Sequence, residues 1–268
     1  MPLTNFLQHV DISHLNTMAL PCVAEYFIAV TTQAALTNAI KIAKKNQLAI
    51  HLLGGGSNVL CQPFIKGVVI MPLIKGIKVK TSVSASEVLI TANAGENWHA
   101  LVQWCLAKGY FGLENLALIP GNVGAAPIQN IGAYGVELAD VLVSVKWFDC
   151  DDFCFHTFSN KQCQLTYRDS IFKNALKNKA VITQITLRLN TQPNPIIHYK
   201  PLAQHFLTIA PTPHLLFDEV CKQRNSKLPN PKLIPNSGSF FKNPVISNEN
   251  FNELKIKHEE ELCSKSYN

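Results

Sequence analysis

The run Gly112-Leu113-Glu114-Asn115-Leu116-Ala117-Leu118-Ile119-Pro120-Gly121-Asn122-Val123-Gly124-Ala125-Ala126-Pro127-Ile128-Gln129-Asn130-Ile131-Gly132-Ala133-Tyr134-Gly135 decides how this chain reads. Small residues at this density let a backbone approach something flat and large, and Gln129 and Asn130 add amide donors and acceptors. The plain alternative is a buried loop packed on its own domain. A loop this long, apolar and glycine-rich is uncommon without a ligand, so the ligand reading leads.

A second glycine loop lies upstream. Gly54-Gly55-Gly56-Ser57-Asn58-Val59-Leu60 follows a strand-sized apolar run, where backbone amides can form a phosphate-cradling nest. By itself such a loop is more often a tight turn. It lacks the GxGxxG spacing, and a β-rich stretch follows it in place of a helix, which disfavours a Rossmann dinucleotide fold.

Around these loops the pattern is α+β. A helix is expected over Thr31 to Asn46, with Leu36, Ile40 and Ala43 on one face and Lys44 and Lys45 in the last turn. A second is expected over Glu96 to Lys108, with Trp98, Leu101, Val102, Cys105 and Leu106 as its buried stripe and Gly109 just past its end. Strands are expected at 48–53, 67–71, 77–81, 88–92, 141–149 and 185–189, and a short helix around 217–224. From Asn248 onward the chain is polar, with Phe251, Leu254, Ile256 and Leu262 its only packing residues.

At 268 residues and 47% hydrophobic content the chain can bury a substantial core, and 16% charged residues argue against general disorder. Met1 to Val10 lacks a basic start with an apolar run, so no signal peptide is expected. No stretch approaches the roughly 18 apolar residues of a membrane helix, and the chain reads as cytoplasmic. The eight cysteines read as thiols. Cys150, Cys154 and Cys163 lack paired ligand spacing, so no metal site is expected. The net charge of +6 suits an anionic small molecule without requiring one, and no nucleic-acid-reading motif is present.

Two further segments carry chemistry. Tyr167-Arg168-Asp169-Ser170-Ile171-Phe172-Lys173 sets an arginine between an aromatic ring and a carboxylate, most simply a surface ion pair. Asn236-Ser237-Gly238-Ser239-Phe240-Phe241-Lys242-Asn243-Pro244 puts a small proton donor in an apolar wall beside anion-binding groups. No Gly-x-Ser-x-Gly elbow surrounds Ser239, which disfavours serine-hydrolase chemistry. Lys222, Arg224, Lys227 and Lys232, just before it, read as a solvated face.

Both glycine loops and both of these segments, in this order, resemble the UDP-N-acetylenolpyruvoylglucosamine reductase family, flavoenzymes of peptidoglycan precursor synthesis. The resemblance runs from Asn16-Thr17 to about Ser247. It implies an α+β fold: a two-part FAD-binding unit of the vanillyl-alcohol-oxidase/PCMH type over 1–76 and 77–213, then an incomplete substrate-binding domain over 214–268. It implies the FAD pyrophosphate near Gly54, Gly55, Gly56, Ser57, Asn58, Val59 and Leu60. The ring system is implied near Ile119, Pro120, Gly121, Gly124, Ala125, Ile128, Gln129, Asn130, Gly132, Ala133 and Tyr134, with Ile182 completing the cofactor set. Tyr199, Lys232 and Asn243 are implied as substrate contacts.

The implied reaction passes hydride from NADPH to FAD and on to the enolpyruvyl methylene carbon of UDP-N-acetylglucosamine enolpyruvate. Ser239 would protonate the neighbouring carbon while Arg168 stabilises the enol. Arg168 and Ser239 are therefore expected on one cleft. A monomer is expected, with neither nucleic acid nor membrane as partner. Nothing here matches the family's later catalytic glutamate, and Glu259, Glu260 and Glu261 are not assigned that part. Little turnover is therefore expected, with a non-catalytic FAD- or nucleotide-binding remnant as the alternative.

Overall fold

The structure is a computed structural model that describes residue 3, residues 5–80 and residues 86–258. Its first part runs β1 (Leu7–Asp11), β2 (Val23–Val30), α1 (Gln33–Lys45), β3 (Ile50–Leu52) and β4 (Phe64–Pro72). These strands form one sheet in the order β1-β2-β4-β3. β1 is antiparallel to β2, whereas β2 and β3 both run parallel to β4. Parallel neighbours need a crossover, which α1 supplies. Thr32 starts that helix, its hydroxyl accepting from the Ala35 N–H at 3.0 Å. Leu36, Ala39, Ile40 and Ala43 are its buried face, and Lys44 reaches Asp151 at 2.8 Å.

The second part runs β5 (Ile77–Lys80), β6 (Glu87–Asn93), α2 (Trp98–Ala107), β7 (Gly132–Ala133), β8 (Val136–Glu137), α3 (Leu138–Val141), β9 (Leu142–Asp149), β10 (Phe155–Ser159) and β11 (Ala180–Asn190). Five of these strands make an antiparallel sheet in the order β10-β9-β11-β6-β5, and β7 pairs with β8. β11 lies at its centre and buries most of its residues. Asn97 caps α2 by accepting from the Ala100 N–H at 2.9 Å, and Gly109 leaves it in the left-handed region at φ 74°.

The two sheets share a core. Phe148, Cys150 and Val181, from the second sheet and the turn after β9, pack in one cluster with Leu36, Ile40, Val68 and Ile70 of the first. The seven cysteines among the described residues are free, and Cys150 and Cys163 are buried while Cys154 is exposed. No helix among the described residues is long and apolar enough to cross a membrane.

Three helices follow: α4 (Lys200–His205), α5 (Pro213–Lys227) and α6 (Asn248–Lys257). α5 is longer than the sequence pattern suggests. Thr212 caps it, accepting from the Leu215 N–H at 3.2 Å, and Pro213 occupies the first turn, where a missing N–H costs nothing. Leu216 and Val220 join the cluster of Leu113 and Leu116, so α5 belongs to the main core. No described residue after Val220 is buried. Phe251, Leu254 and Ile256 of α6, expected to pack, are exposed. Leu262 and the run Glu259 to Glu261 lie outside the described residues.

A chain ended after Lys227 is accordingly expected to keep its fold. Its thermal midpoint should move by less than about 4 °C, the shift that roughly 1 kcal/mol produces in a domain of this size. A larger fall in a melting experiment would show that residues 228–258 support the core after all.

Candidate cofactor and substrate site

Two cavities adjoin at the first glycine loop. The larger, about 800 Å³, is lined by Ile12, Leu53, Gly54, Val59, Leu60, Ala125, Ile128, Val181 and Ile182, among others, and is mainly apolar. The smaller, about 640 Å³, takes in Ser57, Asn58, Ile119, Pro120, Gln129, Gly132, Arg168, Arg224 and residues 236–243. Lys173 lines both.

The glycines show why two separate segments build one wall. A Cβ on Gly55 would sit 2.7 Å from the Gly121 Cα, so the two loops meet backbone to backbone. Gly56 has φ 65°, and a Cβ there would overlap the Leu15 carbonyl. Asn58 Nδ2 donates to Gln129 Oε1 at 2.9 Å and ties the loops again. Gly124 packs against the turn that follows β6, where an added Cβ would lie 2.6 Å from that of Ala94. Of the first loop's three glycines Gly54 alone opens to the cavity side, its Cβ meeting nothing nearer than Ala125 Cβ at 3.9 Å, and Gly124 lines the same cavity through its backbone. Gly55, Gly56 and Gly121 back the wall without lining it.

Asn130 does not offer its amide to a ligand. The side chain is buried, with Nδ2 donating to Glu137 Oε2 at 2.7 Å and to the Thr166 carbonyl at 3.1 Å. Its Oδ1 accepts from the Ala139 N–H at 3.0 Å. With both amide donors used and the oxygen accepting from Ala139, it pins the loop from behind. Ala133 and Tyr134 also lie off both cavities.

Arg168 sits at φ 55° in a tight turn where Thr166 and Asp169 exchange backbone hydrogen bonds, both at 3.1 Å. Its guanidinium makes no ion pair with Asp169. Nη2 donates to the Gly132 carbonyl at 2.6 Å and Nη1 to the Asn130 carbonyl at 3.3 Å. A guanidinium carries five N–H donors, so others remain for a ligand.

Arg168, Ser239 and Asn243 line the same cavity, which is the convergence the resemblance requires. The surroundings of Ser239 differ from the expected apolar wall. Phe240 is 62% and Phe241 85% exposed, and the serine itself is exposed. Two expected substrate contacts are not brought to the cavity. Lys232 is exposed and does not line it. Tyr199 packs edge-on against Tyr134, ring centroids 5.3 Å apart, as part of the main core.

The sequence reading missed Arg224, which is not on a solvated face. Leu216, Val220 and Arg224 fall at successive i+4 positions of α5, so the half-buried arginine continues the inward-facing stripe and reaches the cavity. That spacing is the signal that could have found it. Its buried Nε has no hydrogen-bond partner, and no carboxylate among the described residues pairs with it. Burial lowers its pKa. The nearby His99, stacked on Phe217 with ring centroids 5.7 Å apart, has its pKa lowered by burial and then by the Arg224 charge.

Known proteins share the sequence and the fold. The FAD binding domain family matches residues 24–156. The chain is 54% identical over 198 residues to UDP-N-acetylenolpyruvoylglucosamine reductase of Pseudoalteromonas translucida, covering 74% of this chain and 57% of that protein. To the reductase of Neisseria meningitidis it is 43% identical over 252 residues, covering 92% and 72%. The chain thus spans a little over half of the first relative and under three quarters of the second. Among solved structures, the reductase MurB from Thermus caldophilus superposes with a TM-score of 0.63 at 24% identity over 91% of this chain and 78% of that one. A solvent-stable cholesterol oxidase shares the fold at a TM-score of 0.54 over 70% of this chain and 38% of its own. With a glycine-loop wall, an arginine and serine on one cavity and this degree of identity, the chain belongs to the UDP-N-acetylenolpyruvoylglucosamine reductase family.

Proposed function

We propose that the chain binds FAD and reduces UDP-N-acetylglucosamine enolpyruvate to UDP-N-acetylmuramate with NADPH, in the cytoplasm. The observation that carries the reading is the common cavity of Arg168, Ser239 and Asn243 beside the glycine-loop wall. The cavities suit a long ligand with flat ends and a diphosphate between them. The larger cavity offers an apolar slot along Leu53, Val59, Val181 and Ile182, and the open face of Gly54 leaves room for close backbone approach. When bound, FAD supplies the two-electron chemistry that no side chain of this chain can perform.

The protein's own part is electrostatic and positional. Arg168, anchored through the Gly132 and Asn130 carbonyls, presents its remaining donors where negative charge develops on the enolpyruvyl group. Ser239 offers its hydroxyl proton to the carbon next to the ether oxygen. Arg224 supplies a partly desolvated positive charge for an anionic group of the substrate. In the described residues no carboxylate stands beside Ser239 to share the proton transfer.

The test is a flavin absorbance spectrum of the purified protein followed by NADPH oxidation with and without the enolpyruvyl substrate. Bound flavin with slow substrate-dependent oxidation, lost altogether in Arg168→Ala, is the expected result. A second reading, FAD binding without turnover, is favoured by one observation: the larger cavity is lined entirely by residues up to Ile182, whereas the Ser239 segment buries nothing. Bound flavin with no substrate-dependent oxidation would select that reading.

A further inference from the structure

From 228 to 247 the chain has neither helix nor strand and buries no residue, yet it carries Ser239 on the cavity wall. Its attachments are few. The Asn236 N–H donates to the Thr17 carbonyl at 2.9 Å. The Asn236 side chain then folds the loop on itself, donating to the Pro229 and Ile234 carbonyls at 3.0 and 2.7 Å and accepting from the Gly238 N–H at 2.9 Å. On the other side of the serine, Lys242 Nζ stands 5.3 Å from the ring centroid of Tyr167. The same ring carries the Arg168 guanidinium, also 5.3 Å from its centroid. Asn236 and Lys242 each lie three residues from Ser239, so the serine hangs between two tethers.

We propose that Tyr167 is a positioning residue whose ring, shared by the Arg168 and Lys242 cations, registers the serine-bearing loop against the arginine on the cavity wall. The ring face attracts both cations through its quadrupole, and the phenol hydroxyl takes no part. Arg168 is fixed in turn by the Gly132 and Asn130 carbonyls, so the ring transmits the position of the rigid wall to an otherwise loosely held loop. Lys242 has a second electrostatic neighbour in Asp169, whose carboxyl is held below the usual range by Asn174 first, then Ser170 and Lys173, with Lys242 adding the least. The inference draws its catalytic meaning from the reductase reading, but its test does not require turnover.

Hydrogen exchange followed by mass spectrometry on the FAD-loaded full chain tests it with Tyr167→Leu, Tyr167→Phe and Lys242→Met. Loss of one cation–π contact predicts about 2- to 5-fold faster exchange over 236–243 in Tyr167→Leu and Lys242→Met. Tyr167→Phe should match the unsubstituted protein, and β11 exchange and the thermal midpoint should stay constant throughout. Unchanged loop exchange in Tyr167→Leu would overturn the proposal. So would a Tyr167→Phe loop as fast as Tyr167→Leu, because the hydroxyl would then be the working part. Faster exchange in β11 would reduce Tyr167 to a general structural contact. Absence of NADPH oxidation in every variant and in the parent would count against the reductase reading alone and leave the exchange result standing.

Discussion

Gly124→Ala is expected to lose bound flavin, and Gly124→Ala combined with Ala94→Gly is expected to regain it. The glycine allows the segment Val123–Gln129 to lie against the end of β6 and the turn after it, where an added Cβ would stand 2.6 Å from the Ala94 Cβ. Overpacking of this kind typically costs about 1–3 kcal/mol, relieved here by moving the segment whose Ala125 and Ile128 line the larger cavity. At about 1.4 kcal/mol per factor of ten, FAD affinity should fall about 5- to 150-fold. Removing the Ala94 methyl leaves nearest approaches of 3.2 and 3.3 Å, to the Ala94 Cα and carbonyl oxygen, which small shifts can absorb. Glycine at 94, in the turn after β6, frees the unfolded backbone and costs up to about 1 kcal/mol of its own, so the pair should recover binding more fully than stability. Flavin content and thermal midpoint of the three variants decide the matter. If the glycine were needed as the cofactor's path of approach, the second substitution would restore nothing.

Arg224→Met should move stability and binding in opposite directions. The guanidinium is partly desolvated and its buried Nε has no partner, so the folded protein carries a cost that an apolar side chain of similar length removes. A gain of about 1 kcal/mol would raise the midpoint by roughly 2–4 °C. The same change takes a charge from the cavity that holds Arg168 and Ser239. Loss of one charge-assisted hydrogen bond, about 1.5–3 kcal/mol, predicts roughly 10- to 100-fold weaker binding of UDP-N-acetylglucosamine by calorimetry. A lower midpoint would mean that Arg224 has a protein partner. Undiminished binding would mean that the cavity takes its anion elsewhere.

The helices were legible because their signals are local. Thr32 and Asn97 are side-chain caps, and the apolar stripes of α1 and α2 follow a regular period. β2 was missed although Val23-Ala24-Glu25-Tyr26-Phe27-Ile28-Ala29-Val30 is rich in strand formers; it has no clean alternation, being half-buried along most of its length. β1 exposes four of its five residues and gives no pattern at all. At the site, the sequence brought the two glycine loops, Arg168 and Ser239 into consideration. It could not show that Gly55 and Gly121 are small for each other, or that Asn130 is spent on Glu137, Thr166 and Ala139. Those are long-range facts, set by which backbones meet. Arg224 was legible in principle, since only the period of α5 separates it from Lys222, whose side chain is 77% exposed.

The core shared by the two sheets has a consequence during synthesis. β1 to β4 are complete once Pro72 has emerged, but the apolar face behind α1 still lacks Phe148, Cys150 and Val181. Roughly a hundred more residues must be made first, which at 5–20 residues per second takes about 5–20 s. For that interval the nascent sheet shows water an unfinished surface that includes Val68 and Ile70 of β4, long enough for a holdase chaperone to find it. Slowing the ribosome between 73 and 181 should therefore lower the soluble yield more than the same delay placed after 190.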